Sequence, residues 1–354
     1  MHRNFKQVSR VVFGRGCFDQ LADILKEKRT GSKKMVFLVD HFFKGKDLEK
    51  RIPLQGNDEL IFIDVTYEPT TSDVDKLRDK LISDSDNFPD GIIGIGGGST
   101  MDVAKAVSLM LTNEGKSHEY QGWDLIKKPG VYKVGIPTLS GTGAEVSRTC
   151  VLTGPVRKLG LNSDHTVYDQ MVLDPELIKN IPKDQWFYTG MDCFIHNIEA
   201  LKGTFINEFA RAFGEKSQAL CEQVFLEDHP DSDDKLMMAS YFGGMSIAYS
   251  QVGACHALSY GLAFVLGVKH GIGNCLAFNQ LGEFYPEGVE KFKKMMDKHK
   301  IELPVNITKN LTSEQFDQMA EICLGLDPLW ENALGKDWKK IMTKEKVLGL
   351  YKKI

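Results

Sequence analysis

The chain has 354 residues, which is more than one compact core usually holds, so we expect two domains. Hydrophobic residues make up 42% and charged residues 26%, which excludes disordered and low-complexity classes. The net charge of −4, without a block rich in Lys and Arg, argues against nucleic acid as a partner.

The first half of the chain alternates short apolar runs with amphipathic stretches. Strands are predicted over residues 35–39, 60–63, 91–95 and 134–137, and helical spacing appears over residues 74–81. This alternation is typical of a parallel sheet whose strands are joined by crossover helices. Residues 1–181 are therefore predicted to form an α/β domain.

The second half contains long stretches with helical spacing and fewer glycines. Helices are predicted over residues 186–201, 205–225, 235–251 and 289–299. Residues 182–354 are therefore predicted to form a separate, all-helical domain.

The cysteines and the N-terminus indicate a cellular compartment. The seven cysteines form no CxxC pair and are odd in number, which favours neither a disulfide framework nor a zinc knuckle. Residues 1–6 lack the apolar segment of a secretion signal, and no run approaches the ~20 apolar residues of a membrane helix. We expect a soluble, cytoplasmic protein without a membrane partner.

A glycine-rich turn follows the strand predicted at residues 91–95. Three consecutive glycines, at residues 96–98, lead through Ser99 into a segment compatible with a helix. Such a turn lets a phosphate approach the free N–H groups of a helix N-terminus. Ser99 and Asp102 have the spacing of a capping pair, which predicts that the helix begins at Ser99. A tight turn without a ligand fits this stretch equally well, and the GxGxxG fingerprint is absent.

A second turn of small residues spans residues 137–145 and also follows a predicted strand. Its hydroxyl groups and backbone amides can bind phosphate oxygens, so the two turns together favour a pyrophosphate ligand. Asp40 ends the first strong strand, where a doubly wound sheet commonly places the acid that binds a ribose hydroxyl. An acid at this position favours NAD over NADP, whereas Asp40 taken alone, without the two turns, is more typical of an ordinary loop aspartate.

Four residues of the second half form a candidate metal site. Asp192 and His196 are four residues apart, so both project from one face of a helix. Such a pair alone is usually a surface ion pair, but His256 and His270 lie in apolar or small-residue surroundings. One carboxylate and three imidazoles suit Fe²⁺ or Zn²⁺. The remaining histidines are predicted to lie on the surface: His2, His41, His118, His165, His229 and His299.

Several motifs together resemble the iron-dependent alcohol dehydrogenase family. They are GGGSxxDxAKA at residues 96–106, PTxxGTGxE at 137–145 and GMDxxxHxxEA at 190–200, followed by His256 and His270. Residues 120–129, 154–164 and 184–192 look more closely like the branch that oxidises 3-deoxy-D-manno-octulosonate (Kdo), the Kdo 8-oxidases. That branch converts the C8 alcohol to an aldehyde, which a PLP aminotransferase turns into 8-amino-Kdo for lipopolysaccharide.

The resemblance implies a fold and a set of site residues. The fold is a Rossmann-like dinucleotide-binding domain followed by an all-α domain, as in dehydroquinate synthase, with the active site in the cleft between them. The implied metal ligands are Asp192, His196, His256 and His270. NAD would contact Gly97, Gly98, Ser99, Thr100, Thr138, Ser140, Thr142 and Lys158, with Asp40 on the adenosine ribose and Asp102 near the nicotinamide or its phosphates. A homodimer is usual in such families.

One position departs from the family pattern. Many members carry a further histidine one helical turn after the third metal ligand, where this chain has Tyr260. Tyr260 is therefore either a proton relay or a packing residue, since its ordinary pKa of about 10 makes it a poor base. Arg148 and Lys158 are our candidates for binding the carboxylate of a sugar acid, although the cofactor is the better partner for Lys158.

The function that the resemblance implies is oxidation of the C8 alcohol of Kdo with a divalent metal and NAD. Dioxygen is the alternative electron acceptor, but no stretch of the sequence resembles a flavin site, which favours NAD. The alternative inside the family is a generic alcohol or lactaldehyde dehydrogenase. Two alternatives lie outside the family. One is a lyase similar to dehydroquinate synthase, which also combines NAD with a metal, and the other is a metal-binding interaction module that would bind no NAD.

Overall fold

The computed structural model describes residues 6–29, 33–83, 88–179 and 181–354. The chain divides into two compact units, the first formed by Met1–Leu139 with Ala144–Asn180 and the second by Ser140–Gly143 with Ile181–Ile354. The segment Ser140–Gly143, which the sequence division placed in the first domain, thus belongs to the second unit. His2 and most of the N-terminal segment considered above lie outside the described residues.

The first unit contains all the strands described in the structure and four of the α-helices. The strands are β1 (Arg10–Phe13), β2 (Met35–Asp40), β3 (Glu59–Ile63), β4 (Gly91–Gly96), β5 (Gly122–Trp123), β6 (Tyr132–Pro137), β7 (Thr149–Thr153), β8 (Lys158–Asn162) and β9 (Gln170–Leu173). The helices are α1 (Leu21–Leu25), α2 (Asp47–Lys50), α3 (Thr71–Ile82) and α4 (Gly98–Met110). The four predicted strands are confirmed as β2, β3, β4 and β6.

Six strands form one parallel sheet in the order β1-β9-β6-β4-β2-β3. Both faces of the sheet are covered, which explains the uninterrupted apolar runs of its central strands. Val36, Leu38 and Ile92 pack with α3 and α4 on one face. Phe37 and Ile93, which point the opposite way, pack with α1 and with the segment around α2 on the other.

A second, smaller sheet has the order β5-β8-β7, in which β7 and β8 are antiparallel. The sequence analysis predicted none of its strands, nor β1 and β9 of the main sheet. Cys150, Leu152 and Leu161 extend from it into the core that α4 shares with the main sheet. The small sheet is therefore part of the packing that fixes α4.

Every regular element among the described residues of the second unit is a helix. Its helices are α5 (Lys183–Lys202), α6 (Glu208–Leu226), α7 (Ser232–Tyr249), α8 (Ala254–Leu266), α9 (His270–Phe278), α10 (Pro286–His299), α11 (Ser313–Leu324), α12 (Asp327–Leu334), α13 (Trp338–Ile341) and α14 (Lys344–Tyr351). The four predicted helices are confirmed as α5, α6, α7 and α10. The α/β-plus-helical fold class is therefore confirmed.

Two further features concern the helices and the cysteines. None of the helices in the described residues is long and apolar enough to cross a bilayer. The seven cysteines are free thiols, and all of them are buried.

Candidate functional site

Three helices of the second unit bring four potential metal ligands together. Asp192 and His196 lie on α5, His256 lies in the first turn of α8, and His270 is the first residue of α9. One ligand atom from each residue lies within 4.8 Å of the others. Asp192 is at the centre of the cluster, because its carboxylate oxygens lie 3.3 Å from Nε2 of His196, 3.3 Å from Nε2 of His256 and 3.5 Å from Nε2 of His270.

The local geometry follows from helix periodicity and close packing. The four-residue spacing puts Asp192 and His196 on one face of α5. His196 stacks on His256 with the ring centroids 4.7 Å apart. Three of the four side chains are almost completely buried, whereas His270 is 28% exposed. The cluster is therefore enclosed except on the side of His270.

The residues fit a divalent cation. Oδ2 of Asp192 is buried and accepts no hydrogen bond in the part of the chain that the structure describes. A buried carboxylate oxygen without a donor is costly unless it is neutralised, and a cation would supply that charge. One carboxylate and three imidazoles are a borderline donor set that Fe²⁺ and Zn²⁺ both accept.

The pKa shifts of Asp192 and His196 favour the protonation states in which these two residues can bind a metal. Burial would favour the neutral acid of Asp192, but the three imidazoles outweigh it and hold the pKa of Asp192 well below its usual range. Burial lowers the pKa of His196 to about 3, so its imidazole is neutral at neutral pH. Burial would also lower the pKa of His256, but Glu199 and Asp192 raise it to about 9. Metal binding at this site is thus expected to release a proton from His256.

Two further buried polar residues contact the cluster. Asn274, one turn after His270 on α9, donates from Nδ2 to Oδ1 of Asp192 at 2.7 Å. Glu199, on α5, accepts from Nδ1 of His256 at 2.5 Å. The sequence analysis gave neither residue a role. The signal that could have found Asn274 is its four-residue spacing from His270, the same spacing that linked Asp192 to His196.

Tyr260 lies beside the cluster on α8. Its ring centroid is 6.2 Å from that of His270, at an interplanar angle of 55°. Tyr260 is therefore a neighbour of the most exposed ligand, as both the relay and the packing interpretation require.

Asp40, the glycine turn and Thr138, all candidate nucleotide contacts, lie at the same edge of the main sheet, whereas Lys158 begins β8 of the small sheet. Val39 pairs with Ile95, and Gly96 pairs with Pro137, so the carboxyl ends of β2, β4 and β6 are adjacent. Asp40, the glycine turn and Thr138 follow these three ends. Ligands of open parallel sheets bind outside this edge, at the carboxyl ends of the strands.

The helix after the glycine turn begins one residue earlier than predicted. Gly97 is the N-cap of α4, which starts at Gly98 and has no hydrogen bond from a capping side chain. The predicted capping pair is wrong, because Asp102 turns away from the first turn and accepts from the N–H of Val151 at 2.9 Å. Ser99 is partly exposed, whereas Thr100 is fully buried. The first turn of α4 thus has backbone N–H groups without a side-chain cap.

Three charged residues near α4 are bound within the first unit. Nζ of Lys158 is almost completely buried and pairs with Glu68 at 2.9 Å. Lys105 is buried and donates to the carbonyl of Thr149 at 2.9 Å. Arg148, proposed above for a substrate carboxylate, pairs with Asp124 and Asp164 at 2.7 and 3.1 Å.

The remaining candidates, Ser140 and Thr142, belong to the second unit. The amides of Gly141 and Gly143, which flank Thr142, lie 2.7 and 3.4 Å from the hydroxyl of Ser240. These two amides of the second turn are thus engaged inside the second unit.

Asp102 is expected to make the unfolding free energy depend on pH. Burial raises the pKa of Asp102 to about 6 in the folded protein, against an ordinary value of 3.8. Between these pH values the native state holds the proton and the unfolded chain releases it, so the contribution of Asp102 to stability falls as pH rises. The unfolding free energy of the wild type, minus that of Asp102→Asn, should fall by roughly 1–2 kcal/mol from about pH 4 to pH 7, since Asp102 is not completely enclosed. Urea denaturation across this range measures the difference, and a constant difference would contradict the prediction.

Comparison with known proteins decides the family. The family model for iron-containing alcohol dehydrogenases matches residues 8–175, and the model for the C-terminal region of the Fe-containing alcohol dehydrogenase family matches residues 186–327. Together the two matches span most of both units. The chain belongs to the iron-containing alcohol dehydrogenase family. The resemblance drawn from the motifs is thus confirmed at the level of the family.

Several known proteins are similar to this chain over most of its length. The sulfoacetaldehyde reductase of Bilophila wadsworthia is 28% identical over 302 residues, which are 82% of this chain and 77% of that protein. The NAD-dependent methanol dehydrogenase of Bacillus methanolicus is 29% identical over 274 residues, which are 74% of this chain and 71% of that protein. A solved structure of a sulfoacetaldehyde reductase from Bifidobacterium kashiwanohense, in complex with NAD+, superposes with a TM-score of 0.80. That structure is 21% identical and covers 99% of this chain and 98% of its own, a likeness that shows the fold.

Proposed function

We propose that the chain interconverts small primary alcohols and the corresponding aldehydes, using a divalent metal and NAD. The observation that carries the proposal is the convergence of Asp192, His196, His256 and His270 within 4.8 Å in the second unit. Names of similar proteins support the chemical class, since they include an aldehyde reductase, a methanol dehydrogenase and a 1-propanol dehydrogenase.

Each part of the chain has a distinct role in this proposal. The ion, Fe²⁺ or Zn²⁺, supplies Lewis acidity toward the alcohol oxygen, and NAD accepts the hydride. Asp192 and the three histidines hold the ion, while Asn274 orients the carboxylate of Asp192. The uncapped first turn of α4, through Gly97, Gly98, Ser99 and Thr100, binds the pyrophosphate together with Thr138 and Lys158. Asp102 lies near the nicotinamide or its phosphates, and the resemblance adds Ser140 and Thr142 as NAD contacts. Asp40 binds the adenosine ribose and disfavours the extra phosphate of NADP.

The experiment is an assay of purified protein loaded with Fe²⁺ or, in parallel, with Zn²⁺. NAD is supplied with 1-propanol, butanol or propanediol, and the near-ultraviolet absorbance of NADH is followed. We expect NADH to form with at least one alcohol, and its formation to stop when a chelator strips the metal and to resume when the metal is restored. Turnover that survives complete removal of the metal would refute the proposal.

A second candidate function is oxidation of the C8 alcohol of Kdo. Its support is the likeness of residues 120–129, 154–164 and 184–192 to the Kdo 8-oxidase branch. The product of this reaction would be the substrate of a PLP aminotransferase in the synthesis of 8-amino-Kdo and lipopolysaccharide. The expected compartment is the cytoplasm, and the expected oligomer is a homodimer. Formation of NADH with Kdo and not with the simple alcohols would favour this candidate, and the reverse result would exclude it.

Tyr260→Phe tests the proposed proton relay. Removing the hydroxyl group while keeping the ring should lower kcat by about 10²-fold and flatten the pH profile of kcat, because general acid–base catalysis contributes about 10²–10⁴-fold. Steady-state kinetics across the pH range measure both quantities. A packing role predicts instead a kcat and a pH profile close to those of the wild type.

A further inference from the structure

Glu199 is a buried carboxylate with no assigned role in the motif that carries Asp192 and His196. It lies near the end of α5, and its side chain is completely buried. One carboxylate oxygen accepts from Nδ1 of His256 at 2.5 Å, and the other accepts from the backbone N–H of Cys255 at 2.6 Å. Glu199 thus contacts both the imidazole of His256 and the first turn of α8, which carries it.

The contact with Nδ1 determines which nitrogen of His256 is available to a metal. Because both carboxylate oxygens act as acceptors in these contacts, Nδ1 is the nitrogen of His256 that carries the proton. The lone pair of a neutral His256 is then on Nε2, which faces Oδ1 of Asp192 at 3.3 Å. The hydrogen bond from the backbone N–H of Cys255 holds the carboxylate of Glu199 in a fixed position relative to α8, the helix that carries His256.

The other histidine that stacks on His256 lacks this support. Nδ1 of His196 is buried and has no hydrogen-bond partner among the described residues. His256 is therefore a ligand whose tautomer is set by a charged neighbour, whereas that of His196 is not set in this way.

We propose that Glu199 is a positioning residue that fixes His256 in the tautomer that binds the metal through Nε2. Carboxylate partners of this kind orient metal-binding imidazoles and increase their basicity, and their loss typically costs about 10–100-fold in metal affinity. The inference rests on the proposed function, because it requires that the four ligands hold a metal.

Glu199→Gln is the variant that tests the proposal. The amide oxygen of the glutamine can still accept from the N–H of Cys255, so the contact between α5 and α8 is kept. Its NH₂ group, however, faces Nδ1 and favours the tautomer in which Nε2 carries the proton. We expect the affinity for Zn²⁺, measured by competition with a chromophoric chelator, to fall about 10–100-fold while the far-UV circular dichroism stays unchanged.

Two further variants separate positioning from a general effect of a buried carboxylate. Glu199→Asp keeps the charge and is expected to retain more of the Zn²⁺ affinity than Glu199→Gln. Asp174→Asn is the matched control in the first unit, because Asp174 is fully buried and accepts from the backbone N–H groups of Gly16, Phe18 and Glu176. This control is expected to lower stability and leave the Zn²⁺ affinity unchanged.

Nitrogen-15 NMR of histidine-labelled, Zn²⁺-loaded wild type gives a reading that does not depend on the folding of any variant. We expect Nε2 of His256 to carry the metal and Nδ1 to carry an exchange-protected proton. Coordination through Nδ1, or a Glu199→Gln protein that binds Zn²⁺ as tightly as the wild type, would overturn the role of Glu199 and leave the proposed function standing. A wild type that binds no divalent metal would instead overturn the proposed function itself.

Discussion

Replacing His256 with alanine is expected to abolish metal binding and turnover. The variant loses one of four ligands and leaves the carboxylate of Glu199 buried without the imidazole that now donates to it. A Lewis-acidic ion contributes several kcal/mol to stabilisation of the developing charge, so turnover should fall by about 10³-fold or more. Metal content after dialysis and kcat with the best alcohol measure the two effects.

The control for this variant is His229→Ala in the same unit. His229 lies between α6 and α7, is 32% exposed and pairs only with the acidic groups of Glu227 and Asp231 among the ion pairs of the described residues. We expect it to keep its metal and its kcat. A His256→Ala protein that loses its metal yet turns over at the wild-type rate would remove the metal from the mechanism.

Three of the four strands that the sequence predicts, β2, β4 and β6, are buried on both faces over most of their length. The run at residues 35–39 became β2, whose apolar residues are almost completely inaccessible to solvent, as expected for a central parallel strand. β1 and β9 have only four residues each, and β1 begins at an exposed Arg10 at the edge of the sheet. Their apolar content is too short to separate from a loop, so the pairing of β1 with β9 emerges only from the tertiary structure.

The four residues of the metal cluster were named from the sequence on two different kinds of information. Asp192 and His196 are linked by helical spacing, which is local and visible in the sequence. His256 and His270 were nominated by residue type and by resemblance, and only the packing of α8 and α9 on α5 brings them to Asp192. The contacts of Glu199 and Asn274 are of this second kind, since each crosses from one helix to another.

The glycine-rich turns show where local patterns mislead. The spacing of Ser99 and Asp102 is typical of a capping pair, yet Asp102 has a better partner in the N–H of Val151 on β7, a strand that the sequence analysis did not predict. Likewise the turn at residues 137–145 suggested a phosphate contact, while its Gly141 lies directly against the backbone of α5. In both cases a contact with a residue distant in sequence determines the local conformation.

Gly141→Ala is expected to destabilise the second unit severely. A Cβ atom at Gly141 would lie 1.7 Å from the carbonyl oxygen of Thr189, and the backbone φ of +144° is one that L side chains rarely adopt. Since backbone cannot move aside as a side chain can, the unfolding free energy should fall by more than about 4 kcal/mol. Thr189 precedes Asp192 by one helical turn of α5, so any shift that relieves the clash also displaces this ligand. Urea denaturation and Zn²⁺ affinity should therefore both change.

Gly349→Ala provides the matched control for this loss. Gly349 lies on an exposed face of α14, and a Cβ atom there meets nothing within 4 Å. Alanine in an exposed helix interior should raise the unfolding free energy by roughly 0.5–1 kcal/mol and leave the Zn²⁺ affinity unchanged, because it removes the conformational freedom of glycine from the unfolded chain. If Gly141→Ala resembled this control in both measurements, the close approach of the second turn to α5 would be refuted, and with it the assignment of Ser140–Gly143 to the second unit.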